Sequence, residues 1–481
     1  MDGETTGGER LRSLEAAVSR DLHLTRHPEK AWMPTRKGPG GAHLYDVVIA
    51  GAGQGGLAVA FALQRMRIDN ILVVDRAAYG REGIWTTYAR MPTLRSPKEF
   101  TGPDLGVASL TYQAWHEARF GREHWERLHR IPKEHWQEYL LWYRAVLALP
   151  VRNETTLVAI TPDNACLRLG LETPCGTETV VTRKLVLATG QDGLGRWLLP
   201  DFVERLPQHL RATTSDDIDF AALAGKTIAV LGAGASAADN AATALEAGAA
   251  KVMMFVRRPA LQRVQPYLWL TFSGFLHHMA DMDDHWRWKF MRHILELRES
   301  MPQETYDRCR RHAGFSIHVG AGWEGAEAAG DHVQLRTAAG DVTADFLIVG
   351  AGIDIDPSAR PELASFAGEI ATWADRYDPR ETAQSPRLAR FPYHAPDGSF
   401  LERCPGAAPF LARIHDFTIA TTMSFGPFGC SINAMTISAP RLARGITQGL
   451  FREDLELHWA SLQSHRDTIF EPAPVDRDKI G

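Results

Sequence analysis

Two glycine-rich segments carry the clearest chemical signal in this chain: Gly51-Ala52-Gly53-Gln54-Gly55-Gly56 and Gly232-Ala233-Gly234-Ala235-Ser236-Ala237. Each follows an apolar run, Val47-Val48-Ile49-Ala50 in the first case and Ile228-Ala229-Val230-Leu231 in the second. A strand that turns through such a segment into a helix leaves free N–H groups and a partial positive charge at the helix N-terminus, which suits a pyrophosphate. Gly51 permits the tight turn, Gly53 lets the backbone approach the phosphates, and Gly56 lets the helix pack on the strand. Gly232 and Gly234 repeat the first two roles. Ala237 stands in the third, which the fingerprint allows.

The residues that close the next strands differ in charge. Ile71-Leu72-Val73-Val74 ends at Asp75. An acid at this spacing accepts hydrogen bonds from a ribose 2′-hydroxyl and repels a 2′-phosphate, so the first unit favours FAD or NAD over NADP. The strand from Lys251 to Val256 runs instead into Arg257-Arg258. A guanidinium there can hold a 2′-phosphate by two parallel bonds, so the second unit reads as an NADPH site. Two such sites in one chain are the layout of a flavoprotein that takes hydride from a nicotinamide. The expected cofactors are FAD and NADPH.

The elements that must position these residues give an α/β fold with two Rossmann-like dinucleotide-binding domains, the NADPH domain inserted into the FAD domain. Leu185-Val186-Leu187-Ala188-Thr189-Gly190 and Asp345-Phe346-Leu347-Ile348-Val349-Gly350-Ala351-Gly352 read as the two crossings between them. The boundaries follow: an extension at 1–44, the first part of the FAD domain at 45–212, the NADPH domain with a helical insert at 213–344, and the rest of the FAD domain with C-terminal helices at 345–481. Within the extension, Leu11 to Leu22 suits a short amphipathic helix. Residues 270–315, rich in Trp, His and Arg, read as helices decorating the inserted domain.

At 481 residues the chain exceeds one ordinary core. Its net charge of -5 gives no electrostatic case for nucleic acid or an anionic membrane. No apolar stretch reaches the ~18 residues of a membrane span. The five cysteines form no C-x-x-C pair, which argues against a zinc ribbon and against a dithiol redox centre. A cytoplasmic enzyme acting on a small molecule and O2 is expected, with no metal and with a homodimer admissible.

The arrangement resembles the class B flavin monooxygenases over roughly residues 45–450. The carriers are the two fingerprints, Gly83-Ile84-Trp85, Ala188-Thr189-Gly190 and the Asp345–Gly352 segment. The resemblance places Trp85 near the flavin, with Lys98 as a further neighbour. One departure is clear. The Phe-x-Gly-x-x-x-His element of Baeyer–Villiger and related enzymes is missing, and its histidine slot falls near Thr213. A Baeyer–Villiger role is therefore disfavoured, and a general amine or sulfide oxidiser is less favoured. The segments Thr86–Lys98 and Ser424–Ala434 are more similar to a bacterial branch, the nitrosuccinate-forming aspartate N-monooxygenases of antibiotic pathways.

That resemblance implies N-oxygenation of an amino acid, L-aspartate, through a C4a-hydroperoxyflavin. The flavin carries this chemistry, so no side-chain nucleophile is required. Two carboxylates call for two fixed arginines; the candidates are Arg292 and Arg441, the latter in the first turn of a helix opened by Pro440. Three alternatives stay open. One is oxygenation of carbon or sulfur in a small heterocyclic or aromatic substrate. Another is a pyridine-nucleotide flavin reductase with a different acceptor. The last is a non-catalytic redox sensor.

Overall fold

The computed structural model describes residues 7–427 and 431–471. The first sheet is built on Leu44–Ala50, flanked in parallel by Ile71–Val74 and by the long strand Gly176–Leu187. The N-terminal half of that long strand forms an antiparallel hairpin with Cys166–Thr173, which pairs on to Thr156–Asp163. Its C-terminal half takes Ile414–Asp416 in parallel, so a late segment of the chain completes the sheet. The register aligns Ala50 with both Val74 and Leu187, and Leu187 with Asp416. Four chain segments therefore leave the sheet at one carboxyl edge, where ligands of open parallel sheets bind.

A second, wholly parallel sheet runs in the order Phe315–Val319, Lys251–Val256, Thr227–Leu231, Phe346–Val349, Arg211–Thr213. Its central strands are buried on both faces, as their unbroken apolar sequences require. Two of its members revise the expected boundaries. Arg211–Thr213 and Phe346–Val349 both pair inside this sheet, so by sheet membership the insert reaches from about 211 to 349. The crossings lie just outside it, as Gly195–Trp197 and Ile353–Ile355. These pair antiparallel as one two-stranded ribbon. The meander Trp323–Ala329, His332–Thr337, Gly340–Ala344 covers one side of the second sheet.

The aromatic helices are placed differently from the expectation. Phe275, Met279, Trp288, Met291 and Ile294 pack in one core with Val48, Leu185, Trp373 and Met423, so the segment from Pro266 to Leu297 belongs with the first sheet. Only Gln303–Arg310 lies on the second fingerprint helix, burying Cys309. Aromatic side chains report burial and do not report which of two adjoining cores receives them. The N-terminal helix runs Gly7–Leu24 and packs Leu11, Leu14, Val18 and Leu22 on the first domain. Residues 1–6 of the extension, Phe428-Gly429-Cys430 of the Ser424–Ala434 segment, and 472–481 lie outside the described residues. Among the described residues no helix is long and apolar enough to cross a membrane, and no cluster of His, Cys, Asp or Glu could hold a metal ion.

Candidate active site

Gly51 has φ +106°, and a Cβ there would lie 2.3 Å from the Ala188 carbonyl oxygen. A Cβ on Gly56 would lie 1.8 Å from the Gly51 oxygen. Both contacts are with backbone, so no side chain can yield. Gly53 caps the helix Gln54–Arg65 and faces the Cα of Gly83, leaving a groove walled by backbone. Asp75 is 8% exposed and accepts from the N–H groups of Ala52 (2.7 Å) and Ala77 (2.8 Å). Burial raises its pKa against those two bonds, which fix the carboxyl group at one end of the groove.

These residues open into a cavity of about 540 Å³. Gly51, Gly53 and Asp75 line it, as do Trp85, Phe417, Thr189 and the segment Ser431-Ile432-Asn433. Gly51, Asp75, Ala188 and Phe417 are the first residues past four aligned strand ends, which explains their convergence. Trp85 is 6% exposed and meets Trp136 edge-on at 6.4 Å. Trp136 donates its indole N–H to Gln54 (3.1 Å), so the aromatic wall is fixed to the fingerprint helix. A long nucleotide fits these features: a turn free of Cβ atoms for its phosphates, an acid for its ribose, and an aromatic wall further on. Lys98 is placed elsewhere. Its ammonium donates to the Trp125 carbonyl (2.7 Å), lies over the Trp125 ring, and is not part of the cavity wall.

The second fingerprint repeats the geometry with one exchange. Gly232 has φ +108°, and its Cβ would lie 2.5 Å from the Gly350 oxygen. The Ala237 methyl lies 2.6 Å from where a Cβ on Gly350 would stand. The first unit thus pairs Gly56 with Ala188, and the second pairs Ala237 with Gly350. Gly234 has nothing within 4 Å of its Cβ direction, which leaves room for a phosphate. The register matches Leu231 with Phe255 as Ala50 matches Val74, so Val256 occupies the position of Asp75 and Arg257 is one residue beyond. Arg257 is exposed and makes no hydrogen bond among the described residues. Arg258 is committed, donating to the carbonyls of Glu296 (2.7 Å) and Leu297 (3.0 Å) at the end of the helix Asp284–Leu297.

Neither expected substrate arginine reaches the cavity. Arg292 is held by Glu296 (3.3 Å), Glu381 (3.4 Å) and Gln384 (3.0 Å). Arg441 binds Asp281 and the His277 carbonyl. Its helix begins at Met435, so Pro440 is inside the helix and Arg441 lies beyond the first turn. Further charged residues enter the wall that sequence reasoning missed: Arg76, Arg81, Arg95, Asp192, Glu299 and the pair Arg360–Glu362 (3.2 Å). Arg95 is ion-paired with buried Asp239 on the second fingerprint helix, joining the cavity to the other domain. Arg95 and Glu299 lie in irregular segments that carry no periodic signal.

The comparisons with known proteins agree with this geometry. The sequence model of the pyridine nucleotide-disulphide oxidoreductase family matches residues 48–275. An FAD-dependent urate hydroxylase of Xanthomonas campestris pv. campestris is 42% identical over 449 residues, covering 92% of this chain and 94% of that protein. Among solved structures, the ornithine hydroxylase of Pseudomonas aeruginosa superimposes with a TM-score of 0.65 at 16% identity, over 85% of this chain and 100% of the other. The L-lysine 6-monooxygenase of Pseudomonas syringae gives 0.62 at 17%, over 84% and 99%. With a relative of that identity over nearly all of both chains, the chain belongs to the flavin-dependent monooxygenase family of that urate hydroxylase, whose members are FAD-dependent oxidoreductases.

Proposed function

We propose that this enzyme hydroxylates a ring carbon of a small nitrogen heterocycle, with urate as the lead substrate. The observation that carries the reading is the 42% identity to a urate hydroxylase across nearly the whole of both chains. The cavity supports it. Arg292 and Arg441, the two arginines that an aspartate substrate would need, are ion-paired outside the wall. Of the four arginines in the wall, Arg95 and Arg360 already have acidic partners, and Arg76 and Arg81 are exposed to solvent. A flat ring with a single delocalised negative charge needs fewer fixed cations than a dicarboxylate, and it suits a wall containing Trp85, Leu94, Phe417 and Ile432.

FAD would lie along Gly51, Gly53 and Asp75, and NADPH along Gly232, Gly234, Ala237 and Arg257; reduced by NADPH, the flavin supplies the activated oxygen. The protein's part is to hold the reacting groups and exclude water. Gly53 and Gly83 present backbone to the phosphates without side chains in the way. Trp85 and Ile432 keep the inner wall apolar.

The test is NADPH oxidation and O2 uptake by the FAD-loaded protein with urate, with L-aspartate, and with neither. Urate should stimulate both, and 18O2 should leave one labelled oxygen in the organic product. Stimulation by aspartate alone, with nitrite or nitrosuccinate formed, would replace this reading with amino-acid N-oxygenation. Oxidation indifferent to either compound, with hydrogen peroxide as the sole product, would sink both.

A further inference from the structure

Glu299 is the one wall residue supplied by the short segment between the helices Asp284–Leu297 and Gln303–Arg310. Two features bring it there. Arg258 caps the preceding helix at Glu296 and Leu297, and Arg298 takes φ +65° to turn the chain inward. Gln265 donates to one carboxylate oxygen of Glu299 at 3.3 Å, and the other oxygen has no partner among the described residues. Burial raises the carboxyl's pKa, opposed by the nearby Arg95 guanidinium. Arg95 spends one N–H on Asp239, and its remaining N–H groups are uncommitted in the same wall. An acceptor and a planar donor therefore adjoin on one side of the cavity, both oriented by residues outside it.

We propose that Glu299 and Arg95 form a binding site for a neutral amide edge, Glu299 accepting its N–H and Arg95 donating to its C=O. The chemistry is complementary, because a donor beside an acceptor on the ligand leaves neither protein group unsatisfied. Two sources present such an edge here: a ring lactam of the heterocyclic substrate, which rests on the reading above, and the carboxamide of the nicotinamide.

The experiment compares wild type, Glu299→Ala and Glu299→Gln, each checked for full FAD content and an unchanged melting temperature. Ligands are urate with its four ring N-methyl derivatives, and NADPH with its 3-acetylpyridine analogue, whose carbonyl lacks the N–H. In wild type, removing the N–H that Glu299 accepts should weaken binding roughly ten-fold. In Glu299→Ala that penalty should vanish while binding of the parent ligand weakens by a similar factor. A penalty lost within the methylurate series assigns the lactam edge. A penalty lost for the acetylpyridine analogue assigns the carboxamide edge, and this arm can be read even if urate is not the substrate. Penalties that persist unchanged in Glu299→Ala in both series overturn the site. Arg95→Lys, which retains the charge opposite Asp239, should weaken the same ligand; equal affinity to wild type would also count against it.

Discussion

Arg441 holds Asp281 by two parallel hydrogen bonds, 2.8 and 3.0 Å long, and so joins the helix Met435–Glu453 to the turn after Ser273–His278. The guanidinium geometry that would suit a substrate carboxylate is used on one from the chain itself. Arg441→Ala should therefore leave kcat and KM within about two-fold of wild type. Asp281 is more than half exposed, so the pair contributes no more than about 1 kcal/mol. The bond from Arg441 lowers the Asp281 pKa, so this contribution is present above the ordinary carboxylate range and is lost as pH falls through the depressed value. Melting temperature against pH for wild type and Arg441→Ala checks the sign: the curves should converge in acid.

Arg257 and Arg258 should separate in their effects. Arg257 is exposed and uncommitted, whereas Arg258 caps a helix. Arg257→Ala should raise the KM for NADPH about ten- to a hundred-fold and leave the KM for NADH nearly unchanged, as loss of a charge-assisted phosphate contact of about 1.5–3 kcal/mol requires. Arg258→Ala should instead loosen the segment carrying Glu299 and weaken both nucleotides or neither. Steady-state kinetics with the two nucleotides distinguishes these results, and equal losses for Arg257→Ala would remove it from the 2′-phosphate site.

Gly350→Ala should be poorly tolerated because its methyl would meet the Ala237 methyl at 2.6 Å. Overpacking of this kind costs about 1–3 kcal/mol. Ala237→Gly alone should cost little. Combined with Gly350→Ala, it should recover most of the loss, reproducing the glycine–alanine order of the first unit. A double-mutant cycle in denaturant measures the coupling, and simple additivity would show that the two positions do not compete for space.

Arg183 is 3% exposed and bonds Asp46 (3.4 Å), Glu453 (3.0 Å) and Asp454 (2.9 Å), tying the first sheet to the end of the helix Met435–Glu453. Arg183→Met should destabilise the fold by about 3–5 kcal/mol, because carboxylates are left buried without their partner. Burial pushes the Glu453 carboxyl up, but Lys184, Arg413 and Arg183 outweigh it and hold it below its ordinary value. Its contribution is therefore full above the usual carboxylate range and lost as pH falls through the depressed value. A urea midpoint that is the same for Arg183→Met and wild type at pH 7 would contradict this.

What could be read from sequence follows a physical divide. Gly51, Gly56 and Gly232 were legible because backbone contacts at 1.8–2.5 Å exclude every side chain, so the residue type is dictated locally. Asp75, expected from its spacing after the first turn, and Trp85, expected from the resemblance of Gly83-Ile84-Trp85, both line the cavity. Arg292 has a local partner in Glu296, one helical turn on, whereas Glu381 and Asp281 are brought to Arg292 and Arg441 by tertiary packing and leave no local trace. The strand Phe346–Val349 has the same apolar pattern whichever sheet receives it, which is why the expected boundary fell at its start. Glu299 and Arg95 lie in irregular chain, where neither helical nor strand period marks a side chain as facing inward.

The ribbon of Gly195–Trp197 with Ile353–Ile355 brings the entry and exit of the second domain side by side, so close that a Cβ on Gly195 would overlap the Asp354 carbonyl oxygen. A domain whose two ends leave through one paired stalk is a cassette. It can be exchanged between relatives by cutting both strands of the stalk at matched positions, without re-spacing the flavin half. One condition travels with the graft: the incoming cassette must bring an acid at the place of Asp239, or Arg95 is left without its partner.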